Sequence, residues 1–343
     1  AMHLGAEEES PDDESQKLEA NLIIVDETSM VDQWLAKQLL SRILPGTKVI
    51  LVGDADQLPS VGAGNVFHDL IQCEVIPVTT LDQIFRQGEK SRIARNAKRI
   101  NESMANLEYG DDFIFVQSRD QHTAAEQMCD AYLKSVAKWG IEHVMILTPY
   151  RSEGEVSADK MNERIRELVN PPSEEKPELR LGNLSFRLYD RVMQRKNESK
   201  TQLKDEKGLP AGTGVFNGDI GTIRSIQGST VIVDYDGRFA TYSPTQLENL
   251  SHAYATTVHK AMGSEADCII FAVLRANSLL LNRGVVYTGI TRAKKQAILI
   301  GQKDALFAAI HRHTIDKRNS MLGMRVRLYC NGASEESDIG KPA

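Results

Sequence analysis

No apolar stretch in this 343-residue chain approaches the roughly 18 residues that a membrane-spanning helix needs. Its first residues, AMHLGAEEESPDDESQ, are acidic and polar, which excludes a signal peptide. Cysteine is scarce. The four thiols, Cys73, Cys129, Cys268 and Cys330, stand far apart, and no pair has metal-ligand or redox spacing. They read as buried or half-buried thiols in a reducing cytoplasm. Excess positive charge is missing too, the formal net charge being −6. That excludes a protein coated in basic surface but leaves room for a nucleic-acid channel, which needs only local clusters of Lys and Arg. Internal repeats and long low-complexity tracts are also absent.

The length predicts two or three domains of roughly 100–200 residues each. Behind an acidic leader, residues 1–20, apolar runs rich in β-branched residues alternate with helical stretches. NLIIVD, KVILVGD and HVMILTP read as strands. VDQWLAKQLLSRIL reads as a helix, SRIARNAKRINES as a basic helix, and TAAEQMCDAYLKSVAKWG as an amphipathic one stopped by Gly140. Such alternation predicts an α/β fold with a parallel sheet covered on both faces, the strands being buried. After VNPPSEEKPELRLGN the pattern changes to short alternating strands. Gly218-Asp219, Gly228-Ser229 and Asp236-Gly237 form the turns, which predicts a small antiparallel barrel over residues 184–250. Strand–helix alternation returns with DCIIFAVL, NRGVVYTGITRAKK and QAILIGQ, so the barrel interrupts an α/β domain.

In parallel sheets, ligands bind beyond the carboxyl ends of the strands. Asp26 and Glu27 stand there, directly after LIIV, followed by Thr28 and Ser29. In nucleotide hydrolases one carboxylate at this place holds Mg²⁺ and the other activates water. The plainer alternative is that the pair caps the next helix. A second strand ends in VGDADQLPSVGAG, where Gln57 is placed to bond a terminal phosphate and the attacking water. Gly and Pro alone would also account for that loop.

Together these runs resemble motifs II and III of superfamily 1 helicases. LDQIFRQ (81–87) resembles motif IV, and LTPYRSEGEVSADKMN the segment that follows it. AYATTVHKAMGSEADCIIF (253–271) resembles motif V, and VVYTGITRAKKQAILIG (285–301) motif VI. The chain is most similar to RecD-type helicases, a family that includes the alpha subunit of exodeoxyribonuclease V. The likeness runs in family order from about residue 20 to about residue 322. RVMQRKNE and GVFNGDIGTI resemble the start of the SH3-like barrel of those proteins.

The resemblance implies RecA-like motor domains. Residues 21–84 would form part of the first, residues 85–183 and 251–330 the second, and 331–343 a tail. It also implies ATP and Mg²⁺ as cofactors, with Asp26 on the metal and Glu27 activating water. Gln57 would sense the γ-phosphate, and Arg86 and Arg292 would act as arginine fingers. Gly263 and Glu265 would couple nucleotide to DNA, with Glu265 near the ribose. Thr148, Tyr150, Arg151, Thr257, His259 and Lys260 would contact single-stranded DNA, and Tyr150 would be able to stack on a base. Each has a plainer alternative: a solvated arginine, a helix-capping His259, a Tyr150 packed on the sheet edge. Two departures stand out. Met262 occupies a place where the family often has Gln, and the segment before NLIIVDE leaves little room for a strand-separating hairpin.

One signature is missing. A nucleotide hydrolase of this class needs G-x-x-x-x-G-K-[ST] ahead of its Asp-Glu dyad, and no such run occurs in the 343 residues. The expectation is therefore a fragment or split reading frame of a 5′–3′ translocase that acts in recombination and repair. Its implied partners are single-stranded DNA and either a missing N-terminal half or other exonuclease and helicase subunits. The alternative is a non-hydrolysing remnant that binds DNA or a partner. A metal nuclease built on Asp26 and Glu27 lacks further carboxylates or histidines at suitable spacing, and the sequence does not decide DNA against RNA.

Overall fold

The computed structural model describes residues 17–81, 91–182, 184–312, 318 and 320–338. In chain order they form β1 (Leu22–Val25), α1 (Gln33–Arg42), β2 (Lys48–Leu51), α2 (Val66–Gln72) and α3 (Arg92–Asn101). β3 (Phe113–Gln117), α4 (Gln121–Trp139), β4 (Val144–Thr148) and α5 (Ala158–Val169) follow. The middle of the chain is β-rich: β5 (Glu178–Leu181), β6 (Leu184–Arg187), β7 (Arg191–Gln194), β8 (Glu198–Lys204), β9 (Pro210–Val215), β10 (Ile220–Gln227), β11 (Thr230–Tyr235), β12 (Arg238–Tyr242) and β13 (Leu250–His252). It ends with β14 (Ala255–Thr257), β15 (Ala266–Val273), α6 (Arg283–Thr291), β16 (Ala293–Gly301), α7 (Lys303–His311) and α8 (Leu322–Asp338). Two compact units result, one from residues 1–85 with 312–343 and the other from 86–311.

In the first unit β1 and β2 pair in parallel, Leu22 opposite Lys48 and Val25 opposite Leu51. α1 starts where Asp32 Oδ1 accepts the Leu35 amide at 2.8 Å, a side-chain N-cap. The expected burial of β1 is corrected here: Leu22 is 46% and Ile24 61% exposed, and Val49 and Ile50 of β2 are exposed as well. Among the described residues the sheet has only these two strands, and none of those residues covers the face that carries Leu22, Ile24 and Ile50 fully. α8 and Arg318 group with this unit. Arg327 fixes α8 to the end of α2, its Nε donating to the Cys73 carbonyl at 2.8 Å.

The second unit is built on a five-stranded, wholly parallel sheet ordered β14-β4-β15-β16-β3. Its core packs α4 (Ala124, Met128, Tyr132) and α5 (Met161, Ile165) against Val144, Ile146, Cys268 and Ile270 of the sheet. β4 and β15 are apolar almost throughout because both faces are covered. α4 begins at Asp120, which accepts the Thr123 amide, and ends at Gly140, whose φ of +88° suits glycine. Between α5 and β14 lies a seven-stranded antiparallel sheet ordered β13-β7-β10-β11-β12-β8-β9, with Val192, Leu203, Ile223, Val233 and Leu250 in its own core. The fold is thus α/β with RecA-like parallel-sheet architecture and an inserted small SH3-like antiparallel barrel.

A buried polar cluster joins the barrel to the parallel sheet. Asp190 accepts from Arg166 Nε of α5 at 2.8 Å, from Asn170 Nδ2 at 2.9 Å and from the Arg187 amide at 2.7 Å. The Tyr254 hydroxyl donates to it at 3.2 Å, and His252 Nε2 lies 3.3 Å away. Burial alone would raise the Asp190 carboxyl, but the His252 and Arg166 contacts outweigh it and hold it at about 2. Asn162 of α5 then bonds the backbone at Tyr254 and Ala255, which fixes the chain as it enters β14.

Candidate nucleotide and nucleic-acid sites

The parallel pairing of β1 and β2 brings their carboxyl ends side by side. Beyond the last registered pair the contact continues, with Val52 N donating to Val25 O at 2.8 Å and Thr28 N to Val52 O at 2.9 Å. The chain makes this turn by holding Glu27 at φ +51°, ψ 40°, a left-handed conformation uncommon for a residue with a Cβ. Such a conformation costs on the order of 1 kcal/mol and persists where the surroundings enforce it. Asp26 Oδ1 accepts the Glu27 amide at 2.8 Å, and Thr28 Oγ1 donates to Val25 O at 2.9 Å. The helix-capping alternative does not describe this dyad. Glu27 makes no side-chain cap hydrogen bond to the 3-10 turn Thr28–Met30, and α1 is capped by Asp32 instead.

The loop after β2 closes on the same place. A Cβ on Gly53 would stand 3.1 Å from Thr28 N and 3.2 Å from Ser29 N, so only glycine fits there without a shift. Gln57 is buried, and its Nε2 donates to Asp54 Oδ2 at 3.2 Å. Among the described residues its Oε1 is buried with no hydrogen-bond partner, as is the Ser29 hydroxyl. A buried acceptor without a donor is costly, so this oxygen calls for a donor such as a water. The motif-IV segment with Arg86 lies outside the described residues.

In the second unit the candidate residues divide between the two ends of the parallel sheet. At the carboxyl ends of β4 and β14, Thr148 stands opposite Thr257. Tyr150 and Arg151 continue from β4, and their carbonyls accept the Ala158 and Asp159 amides of α5. His259 and Lys260 lie in the turn after β14, where Thr257 Oγ1 accepts the Lys260 amide at 3.3 Å. Thr148 itself is buried and spends its hydroxyl on the Tyr150 carbonyl at 2.7 Å, so it shapes the loop rather than facing out. Partial burial, with the like charges of Arg195 and Arg151 beside it, holds the Lys260 ammonium below the usual lysine range. Arg195, which follows β7 of the barrel, was not among the residues singled out from the sequence. Its signal was its place between barrel strands, where a lone arginine reads as surface.

At the opposite, amino ends of β15 and β16 the structure brings Gly263, Glu265 and Arg292 together. Gly263 is exposed with φ +78° in the turn that enters β15. Glu265 pairs with Lys294 at 3.4 Å, and the Arg292 carbonyl accepts the Ala266 amide at 3.1 Å. Arg292 is buried at the end of α6 rather than standing in solvent, and Met262 is buried too.

Family models match most of the chain: an AAA domain at residues 3–125, the SH3 domain of ATP-dependent RecD-like DNA helicases at 161–235, and a UvrD-like helicase C-terminal domain at 252–300. The ATP-dependent RecD2 DNA helicase of Deinococcus radiodurans is 31% identical over 309 residues, covering 90% of this chain and 40% of that protein. The RecBCD enzyme subunit RecD of Mycolicibacterium smegmatis is 28% identical over 331 residues, 92% of this chain and 55% of that one. Over most of its length the chain resembles the RecD-type helicases. It spans about half the length of the curated relatives it matches. A Pif1 helicase structure from Candida albicans aligns with TM-score 0.49 and 17% identity over 92% of this chain and 77% of that one. The match to the UvrD-like C-terminal domain takes in Thr257, His259, Lys260, Gly263, Glu265 and Arg292, and the AAA match takes in Asp26, Glu27, Gln57 and Arg86.

Proposed function

We propose that this chain is part of an ATP-driven motor of the RecD type that translocates 5′ to 3′ on single-stranded DNA in the cytoplasm, in recombination and repair. The observation that carries the reading is the Asp-Glu dyad at the carboxyl end of β1, with the loop after the parallel neighbour β2 approaching the dyad turn at Gly53 and carrying the buried Gln57. Glu27 accepts the proton of the attacking water, and Gln57 orients that water against the γ-phosphate. Hard oxygen donors suit Mg²⁺, which commonly takes one or two carboxylates plus substrate phosphates. Asp26, exposed at the strand end, fits that role. Mg²⁺ would neutralise phosphate charge there. Arg86 and Arg292 neutralise the charge that develops on the transferring phosphoryl group, a contribution of about 10³–10⁵ in rate. Gly263 and Glu265 transmit the nucleotide state along motif V to Thr257, His259 and Lys260. With Tyr150 and Arg151, whose loop the buried Thr148 hydroxyl shapes, these form the track for the DNA backbone.

The 343 residues hold no phosphate-gripping loop of their own. By itself the chain should therefore hydrolyse ATP poorly or not at all, and a partner that supplies such a loop would be another exonuclease or helicase subunit. That same observation favours a second reading, a non-hydrolysing DNA- or partner-binding remnant of such a helicase. DNA binding tests the first reading and the DNA-binding form of the second. Lys260→Ala and Arg151→Ala should each weaken oligothymidylate binding, read by fluorescence anisotropy, and lower the slope of log affinity against log salt by about 1. Unchanged slopes in both variants would remove the track from the carboxyl ends of β4 and β14.

A further inference from the structure

The loop after Gln57 runs from Ser60 to Gly64, contains two glycines and belongs to no helix or strand. A loop of that composition is mobile by default. Here it is pinned from two sides. Towards α1, the Gln33 amide donates to the Ala63 carbonyl at 3.0 Å, and any side chain on Gly62 would overlap the Asp32 carboxylate. On the other side stands Arg318, brought in from the far end of the chain. Its NH1 donates to Gly62 O at 2.9 Å and to Gly64 O at 2.6 Å, and its NH2 donates to Ser60 O at 2.7 Å. One guanidinium thus gathers three carbonyls of a five-residue loop, a geometry that the planar arginine fork suits and a lysine does not. Between the pinned residues Val61 is 85% exposed, so the clamp closes the base of the loop and leaves its crest open.

We infer that Arg318 is a positioning residue: it fixes the Ser60–Gly64 loop so that Gln57, three residues upstream of the clamp, and the open crest keep one relative placement. The inference rests on the proposed function above for the role of Gln57 as a nucleotide sensor, and it adds that the open crest with Val61 faces the nucleic acid. The clamp itself stands on the three hydrogen bonds. The C-terminal segment is then part of the motor's sensing machinery rather than an appendage. Arg327 provides the internal comparison. It ties α8 to the far end of α2 through the Gln72 and Cys73 carbonyls and does not touch the loop.

The test uses the 343-residue chain and three variants, Arg318→Ala, Arg318→Lys and Arg327→Ala. Two readouts are needed: amide hydrogen exchange of the peptide covering residues 58–65, and anisotropy with a fluorescein-labelled oligothymidylate. Arg318→Ala should speed exchange in that peptide by about tenfold, with the peptides of β4, β15 and β16 unchanged. It should weaken oligothymidylate binding by about threefold. Arg318→Lys should fall between, and Arg327→Ala should leave both readouts as in the unsubstituted chain. Unchanged loop exchange in Arg318→Ala overturns the inference. So does faster exchange with unchanged affinity, or an Arg327→Ala variant that behaves like Arg318→Ala. If the unsubstituted chain fails to bind the oligonucleotide, the proposed function falls, while the exchange readout still decides the clamp.

Discussion

Asp190→Ala is expected to destabilise the second unit by roughly 3–5 kcal/mol, because it removes one partner of a buried ion pair and leaves the other charged. Arg166 and Asp190 are both buried, their closest approach is 2.8 Å, and Asn170, Tyr254 and the Arg187 amide all converge on the same carboxylate. Denaturant unfolding of the variant against the unsubstituted chain measures the loss. A change under about 1 kcal/mol would mean that water or the neighbouring Glu178 compensates for Asp190. The same carboxyl makes a pH prediction. Held at about 2 against an ordinary 3.8, it contributes stability that is fully present above pH 4 and disappears as the pH falls towards 2. That contribution is on the order of 2 kcal/mol. Asp190→Asn should therefore flatten the fall in stability across that window, and an unchanged acid limb would contradict the assignment. Because the cluster ties α5 and the barrel to the chain entering β14, loosening it should also weaken oligonucleotide binding at Thr257 and Lys260.

Gly301→Ala is the second large effect, expected to cost at least about 3 kcal/mol. Gly301 ends β16 between β15 and β3, opposite Val273 on one side and Gln117 on the other. A methyl group there would overlap the Val273 carbonyl, and Gly301 takes φ +152°. Backbone on both sides leaves nowhere to shift, since Ser118 N also donates to Gly301 O at 2.6 Å. The measurement is thermal or denaturant unfolding. A soluble, folded variant within about 1 kcal/mol of the unsubstituted chain would show that the sheet yields at this point.

Much of the parallel-sheet architecture could be read from the chain, because LIIV, KVIL, VMILT and the run from Cys268 to Val273 are apolar stretches bounded by turn residues or caps. α4 was legible for the same reason, with Asp120 before it and Gly140 after it. α2 and α5 were not delimited: VFHDLIQ is short, whereas ADKMNERIRELV carries Ala158, Met161, Ile165, Leu168 and Val169 at helical spacing, a signal that was there to be read. The burial of β1 was misjudged. Four apolar residues look alike in a two-stranded sheet and in a covered one, and only pairing distinguishes them. In the candidate site, the position of Asp26 and Glu27 directly after a strand was legible, and so was that of Gln57 in the loop after the next strand. The inward hydroxyl of Thr148 and the burial of Arg292 depend on tertiary packing, which spacing does not encode. Arg318 had no signal at all, since its partners are backbone carbonyls more than 250 residues away.

The central proposal is that Glu27 activates water and Arg292 neutralises phosphate charge in ATP hydrolysis, while the 343 residues contain no G-x-x-x-x-G-K-[ST] run to grip the phosphates. Single-stranded-DNA-stimulated ATP turnover of this chain tests it most directly, measured beside Glu27→Gln and Arg292→Ala. The account predicts turnover indistinguishable from background in all three proteins. Turnover in the unsubstituted chain that both substitutions abolish would contradict it, because the phosphates would then be held without the expected loop.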